Sequence, residues 1–339
     1  MASLSGAFTQ IFIMLIVVAV GYLATKLGYI TAHGYQSINS LLIHIALPCM
    51  IIASVADLDP SVGASRVPAA FAMAFLQFIL LFAITWVCNI VLRTPGWQRP
   101  LYLFGNVCTN TGFICLPVIA SIYGDDTILI SSIYVLVCNL ALGTIGMATL
   151  QVGSQEYGPA PDHLPSLPTG TVPQSEQKSL RERLSQVSLT PKMLLNAPLI
   201  ACIIALALFF SGYHLPELVN APIALIGRIC TPLAMMIVGS ALAQSDLRTV
   251  FGEWRFYPFI LIRQVALPLA SVLIAARIIS DPVLLWVFAI MFAAPVGSMV
   301  PAWADSFNQD GIWAAKLTVV STLAFFLALP VLVVAMSAL

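Results

Sequence analysis

Two clusters of polar and helix-breaking residues interrupt stretches of this chain that are otherwise apolar. They comprise Asn106, Thr109, Asn110, Thr111, Gly112 and Pro117 in the first half, and Pro295, Gly297, Ser298 and Pro301 in the second. Proline removes a backbone hydrogen bond from a helix and glycine weakens the helix further, so both clusters predict a break. Where a helix restarts, its first N–H groups are unpaired and its dipole presents partial positive charge. With hydroxyl and amide donors beside these groups, the clusters suit the binding of an anion.

Four other polar residues lie within apolar sequence. Arg263 and Gln264 are adjacent, and His44 and Arg228 each stand four residues before a proline (48 − 44 = 4 and 232 − 228 = 4). Ionisable groups inside a membrane are costly and usually face the protein interior. Each basic residue therefore has two interpretations. It could attract or hold a carboxylate, or it could be structural, with Arg228 reaching towards a membrane surface and His44 bonded to a neighbouring helix.

Asp305 is the carboxylate that lies well inside an apolar stretch, four residues after Pro301. It could carry a coupling proton, or it could pair with Lys316. The sequence contains no spacing of nucleophile and base, no phosphate-binding loop and no zinc-type histidine pair. Its seven cysteines show no metal-type spacing,. We therefore predict that the protein is not an enzyme and has neither a metal nor a cofactor.

The composition predicts a membrane protein. Hydrophobic residues make up 60% of the 339 residues and charged residues only 8%, and the mean hydropathy is +0.98. A soluble fold of this composition could not cover its surface with polar groups, so the predicted surroundings are a lipid bilayer. The formal net charge is zero, which gives no indication of a nucleic-acid partner,.

Ten stretches approach the roughly 20 apolar residues that a helix needs to cross the hydrocarbon core. We number them spans 1 to 10, at residues 7–26, 36–56, 68–92, 101–122, 127–150, 191–211, 219–243, 256–276, 283–306 and 313–337. The connection at 156–190 is rich in proline and then charged, which predicts a solvated linker. It separates a first unit of five spans, residues 1–155, from a second, residues 191–339.

The two units repeat one another without a gap. Gly28 recurs as Gly212 (212 − 28 = 184), and Pro117 recurs as Pro301 (301 − 117 = 184). A series of such matches indicates two structurally equivalent halves. Paired glycine and proline interruptions at corresponding positions are typical of the binding site of a secondary transporter.

The distribution of basic residues predicts the orientation. If the N-terminus lies outside, the inner connections carry ten Lys and Arg residues and the outer connections carry two. This bias places both termini outside and the linker in the cytoplasm. Because each unit has an odd number of spans, the second unit must have the opposite topology, which makes the halves an inverted repeat.

Residues 110–117, Asn-Thr-Gly-Phe-Ile-Cys-Leu-Pro, followed by Ala-Ser-Ile-Tyr-Gly-Asp-Asp at 120–126, resemble the auxin efflux carrier family. This family comprises bacterial organic-acid permeases and plant PIN carriers, within a superfamily that includes bile-acid/sodium symporters. The resemblance covers essentially the whole chain. It implies that spans 4 and 9 cross at their breaks, that Asn110, Pro117 and Pro301 belong to the substrate site, and that carboxylates pass by alternating access. It also implies a bacterial inner (plasma) membrane.

The chain departs from a symmetric crossover. Span 9 has Ala294 and Pro295 where span 4 has Asn110 and Thr111, so most polar contacts are expected from the first unit. Sodium would need several carboxylate and amide oxygens near the crossover. Gln264, Asn106 and Asn110 are the candidates, so a proton is favoured over sodium as the coupling ion.

We therefore predict an all-α membrane protein of ten helices, with a 5+5 inverted repeat, that transports a small organic anion, either a mono- or a dicarboxylate. The substrate site would consist of the two clusters and Arg263, with Asp305, Gln264, His44 and Arg228 as accessory or coupling residues. A membrane receptor that binds an anion without moving it is the alternative, and a membrane-embedded enzyme comes third. The sequence leaves a homodimer open.

Overall fold

Nearly all of the described chain is helical. The computed structural model describes residues 4–53, 66–124, 127–157, 197–244 and 252–337. The structure is 85% helical, and extended pairing within these ranges is limited to one isolated bridge. Six helices are long and apolar enough to cross a membrane. The prediction of an all-α membrane protein is confirmed.

Sixteen α-helices are described, and π turns join several of them end to end. The α-helices are α1 Leu4–Lys26, α2 Ala32–Leu41, α3 Leu47–Ala53, α4 Arg66–Val91, α5 Arg99–Val107, α6 Leu116–Tyr123, α7 Ile128–Ala141, α8 Met147–Tyr157, α9 Ala197–Ser211, α10 Glu217–Arg228, α11 Cys230–Gln244, α12 Phe256–Leu261, α13 Leu267–Ala275, α14 Pro282–Phe292, α15 Val300–Ser306 and α16 Gly311–Ser337. The π turns are Leu42–Ala46, Thr111–Cys115, Leu142–Gly146 and Ile262–Ala266.

Three of the π turns end two residues before a proline. These prolines are Pro48, Pro117 and Pro268. A proline lacks an N–H group and its ring clashes with the carbonyl group four residues earlier. A wider turn relieves this clash, because the donor before each proline bonds to the carbonyl five residues back, as Leu47 does to Leu42,. The helix therefore continues past the proline instead of ending there.

The six long helical segments correspond to predicted spans 2, 3, 5, 7, 8 and 10. They are His33–Ala53, Arg66–Val91, Ile128–Ser154, Glu217–Gln244, Phe256–Ala275 and Gly311–Met336. Four shorter apolar helices fall in the remaining predicted spans, at Ile11–Lys26, Thr111–Tyr123, Ala197–Ser211 and Pro282–Phe292. The second and fourth of these are short because spans 4 and 9 are broken in two. The count of ten spans therefore stays a prediction.

Helices α1 and α11 pack with their backbones in contact. A Cβ atom on Gly239 would lie 1.9 Å from the Val18 carbonyl oxygen, and one on Gly21 would lie 2.2 Å from that of Met236. Small residues allow this close approach between membrane helices. The Thr25 hydroxyl adds a 2.8 Å hydrogen bond to Ser240. The two helices therefore form one tightly packed pair.

The buried apolar residues form two clusters, and the broken helices contribute to both. The larger cluster contains Ile114 and Ala294, whereas the smaller one contains Cys108 and Val296. Predicted spans 4 and 9 thus each pass from one cluster to the other at the point where the helix is interrupted. The interruptions lie at the boundary between two packed cores.

Some predicted features lie outside the described residues. They include residues 158–190 of the predicted linker and the acidic pair Asp125 and Asp126. The side chain of Asp305 is likewise outside the description, although its backbone belongs to α15.

Candidate functional site

Predicted spans 4 and 9 are each interrupted near the middle. In the first, α5 ends at Val107 and the π turn begins at Thr111, so residues 108–110 lie between helices. Cys108 and Asn110 have ψ angles of 69° and 49°, which are not helical. In the second, α14 ends at Phe292 and α15 begins at Val300. The prediction that both segments unwind agrees with these backbone conformations.

The two interruptions cross and are hydrogen-bonded to each other. Thr109 and Val296 form an antiparallel β-bridge. The Asn110 N–H donates to the Pro295 carbonyl at 2.8 Å, and the Gly297 N–H donates to the Cys108 carbonyl at 2.6 Å. We call residues 108–110 and 295–297 the crossover. Backbone groups that two broken helices would leave unsatisfied in a membrane thus satisfy one another.

Glycine is required at position 297 because the two backbone segments of the crossover approach each other closely. A Cβ atom there would lie 2.7 Å from the Cys108 carbonyl oxygen and 2.9 Å from its Sγ atom. Side chains do not pack at such distances without displacing the backbone opposite. Gly297 therefore allows the second N–H···O bond of the crossover to form.

Side chains from α4 and from the π turn Ile262–Ala266 satisfy the carbonyl end of α14. Gln77 Nε2 donates to the Met291 carbonyl at 3.0 Å, and Gln264 Nε2 donates to the Ala293 carbonyl at 3.2 Å. Arg263 Nη1 donates to the Ala294 carbonyl at 2.6 Å. These donors replace the helical bonds that end at the break. A cation at this end of a helix also complements its dipole.

Arg263 is enclosed behind the crossover, with only 1% of its surface exposed. Its Nε atom donates to Asn106 Oδ1, and Asn106 Nδ2 donates in turn to Thr85 Oγ1. Its Nη2 atom has no hydrogen-bond partner, and within the described ranges Arg263 forms no ion pair. The side chain contacts helices rather than the cavity described next. The guanidinium is thus bonded to protein groups in this structure, and its role in attracting or holding a carboxylate stays a prediction.

A cavity of about 450 Å³ lies beside the crossover, and we call it the central cavity. Its polar wall comes from both interruptions. The lining residues that the sequence predicted are Thr109, Asn110, Thr111, Gly112, Gly297, Ser298 and His44. Pro117, Pro295 and Pro301 shape the backbone but are absent from its lining, as are Asn106, Arg263 and Gln264.

The second half of the broken span 4 points its N-terminus at the central cavity. The N–H groups of Ile114 and Cys115 both bond to the Asn110 carbonyl at 3.3 Å. The N–H groups of Thr111, Gly112 and Phe113 precede this first turn, so they have no partner within the helix. All three residues line the cavity. Three backbone donors at a helix N-terminus form a site for an anion.

The side chain of Asn110 completes this wall. Asn110 is 5% exposed, and its Oδ1 atom is buried without a partner. A buried polar atom of this kind is costly unless something else satisfies it. The Thr109 hydroxyl is already in contact with Cys138 Sγ at 3.4 Å. Asn110 is thus the side chain of the crossover with an acceptor left for a hydroxyl or a protonated carboxyl group of a ligand, whereas a carboxylate would bond to it only through Nδ2–H, in the flipped amide orientation,.

Comparison with known families agrees with this architecture. Residues 6–333 match a family described as membrane transport protein. The chain belongs to this family. It is the auxin efflux carrier family, so the resemblance found in the sequence is confirmed. A search of curated proteins returns no match. The family is one of transporters rather than enzymes, which is consistent with the prediction of a non-enzyme.

Three residues predicted to be accessory, His44, Arg228 and Asp305, lie in three different parts of the structure. His44 lines the central cavity, and its Nδ1 atom lies 2.9 Å from the Ser40 carbonyl oxygen, so it bonds within its own helical segment rather than to a neighbour. Arg228 is exposed and lines another cavity. Asp305 lies on α15, and its side chain is outside the described part of the chain.

The structure adds cavity residues that the sequence analysis missed. They include Cys138, Asn139, Met299 and Trp303. Asn139 carried a usable signal, because an amide within apolar span 5 needs a polar neighbour. The others are ordinary in a membrane helix, and only the packing of α7 and α15 against the crossover brings them to the cavity.

A narrower groove of about 40 Å³ reaches the crossover from another direction. It is lined by α2, α11 and α16 and also touches Asn110 and Ser298. We call it the narrow groove. Its volume is on the order of one or two water molecules, so a substrate could not pass through it in this conformation.

Proposed function

We propose that the protein is a secondary transporter that moves a small organic anion, a mono- or dicarboxylate, by alternating access. The observation that carries the proposal is the crossover itself. Two interrupted helices meet in a β-bridge at the wall of the central cavity. Discontinuous helices that meet near mid-membrane are typical of secondary transporters, because their ends provide a binding site and their halves can move separately.

The charge arrangement favours an anion as the substrate. Thr111, Gly112 and Phe113 line the central cavity, and their backbone N–H groups precede the first helical turn,. Arg263 adds a buried cation whose guanidinium binds the carbonyl of Ala294, next to the crossover. Within the described ranges no carboxylate forms an ion pair with it. Arg263 therefore favours an anion through its electrostatic field rather than by direct contact.

The size of the central cavity fits a small substrate. At about 450 Å³ it lies in the range of ordinary ligand pockets,. Its polar side chains are Thr109, Asn110, Thr111, Ser298, Asn139 and His44, and most of the remaining wall is apolar. A short carboxylate could place its charged end at the crossover and its carbon chain against the apolar wall.

We also propose that the chain has ten spans arranged as an inverted 5+5 repeat. Left-handed backbone positions support this, because they recur at the sequence offset of 184. Gly28 and Gly212 have φ angles of 82° and 63° (212 − 28 = 184), and Gly124 and Asn308 have φ angles of 92° and 56° (308 − 124 = 184). Helices α6 and α15 begin at 116 and 300, which gives the same difference (300 − 116 = 184).

The proposed orientation places both termini outside a bacterial plasma membrane and the linker in the cytoplasm. Its support is the ten-to-two distribution of Lys and Arg between the inner and outer predicted connections,. In this orientation the central cavity faces the cytoplasm, because Pro198 at the start of α9 and Trp303 on α15 line it.

A proton is favoured over sodium as the coupling ion. Asn106 Oδ1 accepts a hydrogen bond from the Arg263 guanidinium, so this oxygen is not available to a metal cation. A fixed positive charge beside it would also repel sodium. Asp305 stays the proposed carrier of the proton.

Uptake into proteoliposomes tests the proposal. Purified protein is first screened for thermal stabilisation by mono- and dicarboxylates, since a ligand of the folded state raises its stability. The best ligand is then measured as radiolabelled flux. Asn110→Ala should weaken binding by about 1–3 kcal/mol, because it removes a buried hydrogen-bonding group. Thr144→Val is the matched control, since the Thr144 hydroxyl bonds only to carbonyls of its own helix.

The expected result is flux that saturates, is normal in the control and is reduced in Asn110→Ala at equal protein. Stabilisation without flux in the unmodified protein would indicate a receptor instead. Normal affinity in a folded Asn110→Ala variant would place the substrate elsewhere.

A further inference from the structure

A second cavity, of about 320 Å³, lies apart from the crossover, and neither the proposed chemistry nor the predicted substrate set uses it. Arg228, Ser121, Thr231 and Asn220 give it a polar wall. Arg228 is exposed, and within the described residues it has no ion-pair partner. Asn220 Oδ1 is buried without a hydrogen-bond partner. An unpaired cation beside the Thr231 hydroxyl, which can donate, is the chemistry of an anion site, whereas the Asn220 oxygen can accept a hydrogen bond only from a ligand that carries a proton,.

The second cavity is displaced from the central cavity in one direction. Along the segment His33–Ala53, the central cavity contacts residues 43–47 and the second cavity contacts Met50 and Ala53. Along the broken span 4, the corresponding residues are 108–113 and 120–121. At a rise of 1.5 Å per residue, these steps separate the cavities by about 10–15 Å. The two cavities therefore contact the same two neighbouring helical segments at different depths.

One helical segment leads from the second cavity to the crossover. Arg228 and Thr231 line the second cavity. Three and six residues after Thr231, Ala234 and Ile237 line the narrow groove, which contacts Asn110. Residues spaced by three or four lie on the same face of a helix. This side of the segment, which is apolar from Ala234 onward, thus connects the second cavity to the narrow groove.

The two cavities are also lined by residues at equivalent positions of the repeat. Ile43, His44 and Leu47 line the central cavity. Adding 184 to these numbers gives Gly227, Arg228 and Thr231, which all line the second cavity. The basic residue of each cavity therefore occupies the same position in its own half of the chain. In an inverted repeat, equivalent positions face opposite sides of the membrane.

We propose that the second cavity is a binding station for the transported carboxylate, with Arg228 as its cation. It lies on the far side of the crossover from the central cavity, where His44 holds the equivalent position. The proposal rests on the proposed function, because the station would hold the anion before or after its passage through the crossover. Lipid phosphate shares this anion chemistry, and the experiment separates the two.

Charged thiol reagents measure the potential in the second cavity without requiring a known substrate. Thr231→Cys in detergent-solubilised protein is reacted with an anionic reagent, sulfonatoethyl methanethiosulfonate, and with the trimethylammonium reagent of opposite charge. Thr231 lies one turn from Arg228. The ratio of the anionic to the cationic rate should fall about tenfold when Arg228→Gln is added, because a unit charge at this range changes the local concentration of ions by about that factor. Arg228→Lys should preserve the ratio.

The matched control is Leu47→Cys, whose position is equivalent to Thr231 and lies in the central cavity (231 − 47 = 184). Its rate ratio should be unaffected by Arg228→Gln. Protein without an introduced cysteine supplies the blank, since six of its seven cysteines are buried. An unchanged ratio at Thr231→Cys in a folded Arg228→Gln variant overturns the proposal.

Protection identifies the occupant. Succinate should slow the labelling of Thr231→Cys. At the same concentration it should not slow the labelling of the double variant that also carries Arg228→Gln. In nanodiscs, protection by phosphatidylglycerol but not by succinate would assign the cavity to a lipid headgroup and overturn the proposal. If the ratio and succinate protection hold but the unmodified protein carries no flux, the proposed transport fails while the anion site stands.

Discussion

Replacing Arg263 should separate its two contributions, a pair of hydrogen bonds and a buried positive charge. Arg263→Lys retains the charge but cannot reproduce the planar fork that bonds Asn106 and Ala294 together,. Arg263→Met removes both contributions at nearly the same length. The difference in ligand affinity between the two variants therefore reports the effect of the charge. The difference in stability between Arg263→Lys and the unmodified protein reports the effect of the planar, two-bond geometry.

The stability loss follows from the bonds that each variant breaks. Each buried acceptor left without a donor costs about 1–3 kcal/mol. The Arg263 side chain has two acceptors, Asn106 Oδ1 and the Ala294 carbonyl. Arg263→Lys leaves one of these acceptors without a donor, and Arg263→Met leaves both without one. We expect the free energy of unfolding to fall by about 1–3 kcal/mol in the first variant and about 2–6 kcal/mol in the second.

The affinity loss follows from the distance of the charge from the cavity. Arg263 Nη1 bonds to the Ala294 carbonyl, and Gly297 in the cavity wall is three residues further along the chain. Three residues span about 10 Å at most. At about 10 Å and an effective dielectric constant of about 20, a unit charge favours an anion by about 1.7 kcal/mol. Arg263→Met should therefore raise Kd about 15-fold, and Arg263→Lys less than about threefold.

Calorimetric titration with the carboxylate that most stabilises the protein measures these Kd values. Variants are compared at equal folded fraction, as judged by size-exclusion chromatography and thermal unfolding. Equal Kd values for Arg263→Lys and Arg263→Met would refute the electrostatic reasoning, because the charge that the first variant keeps and the second loses should change the affinity. A large loss in Arg263→Lys alone would instead restore a direct bidentate contact with the substrate.

Two further predictions concern the crossover and the topology. Gly297→Ala should destabilise the protein by about 1–3 kcal/mol in a thermal unfolding assay, because the added methyl group would lie 2.7 Å from the Cys108 carbonyl oxygen,. Gly34→Ala is the control, since its Cβ would lie 3.3 Å from the Thr31 hydroxyl at an exposed site, and a similar loss there would contradict the argument. Membrane-impermeant labelling of Ser185→Cys should succeed only from the cytoplasmic side, whereas labelling at either terminus should succeed from outside. Termini on opposite faces would remove the inverted repeat.

The sequence predicted the broken helices because proline, glycine and polar side chains interrupt strongly apolar segments. Pro295 and Gly297 locate the second break, and Asn110 and Gly112 the first. The partner of each break could not be read from the same signals. The bonds from Asn110 to Pro295 and from Gly297 to Cys108 depend on tertiary contacts between segments far apart in the chain.

Arg263 shows where sequence reasoning stops. Its burial was predictable, since a charge deep in an apolar segment avoids lipid. Its partners were not, because a backbone carbonyl such as that of Ala294 becomes an acceptor only where its helix ends. Likewise, the π turns that carry the helices past Pro48 and Pro268 depend on how each backbone relaxes, which the sequence does not indicate,.

A ligand-bound structure would test the central claim most directly. With the most stabilising carboxylate present, we predict ligand density in the central cavity, with carboxylate oxygens about 3 Å from the N–H groups of Gly112 and Phe113 and the ligand in contact with the Asn110 side chain. Density in contact with the Arg263 guanidinium would correct the electrostatic role given to that residue. A bound carboxylate that makes no contact with residues 108–113 or 295–298 would contradict the assignment of the crossover as the substrate site.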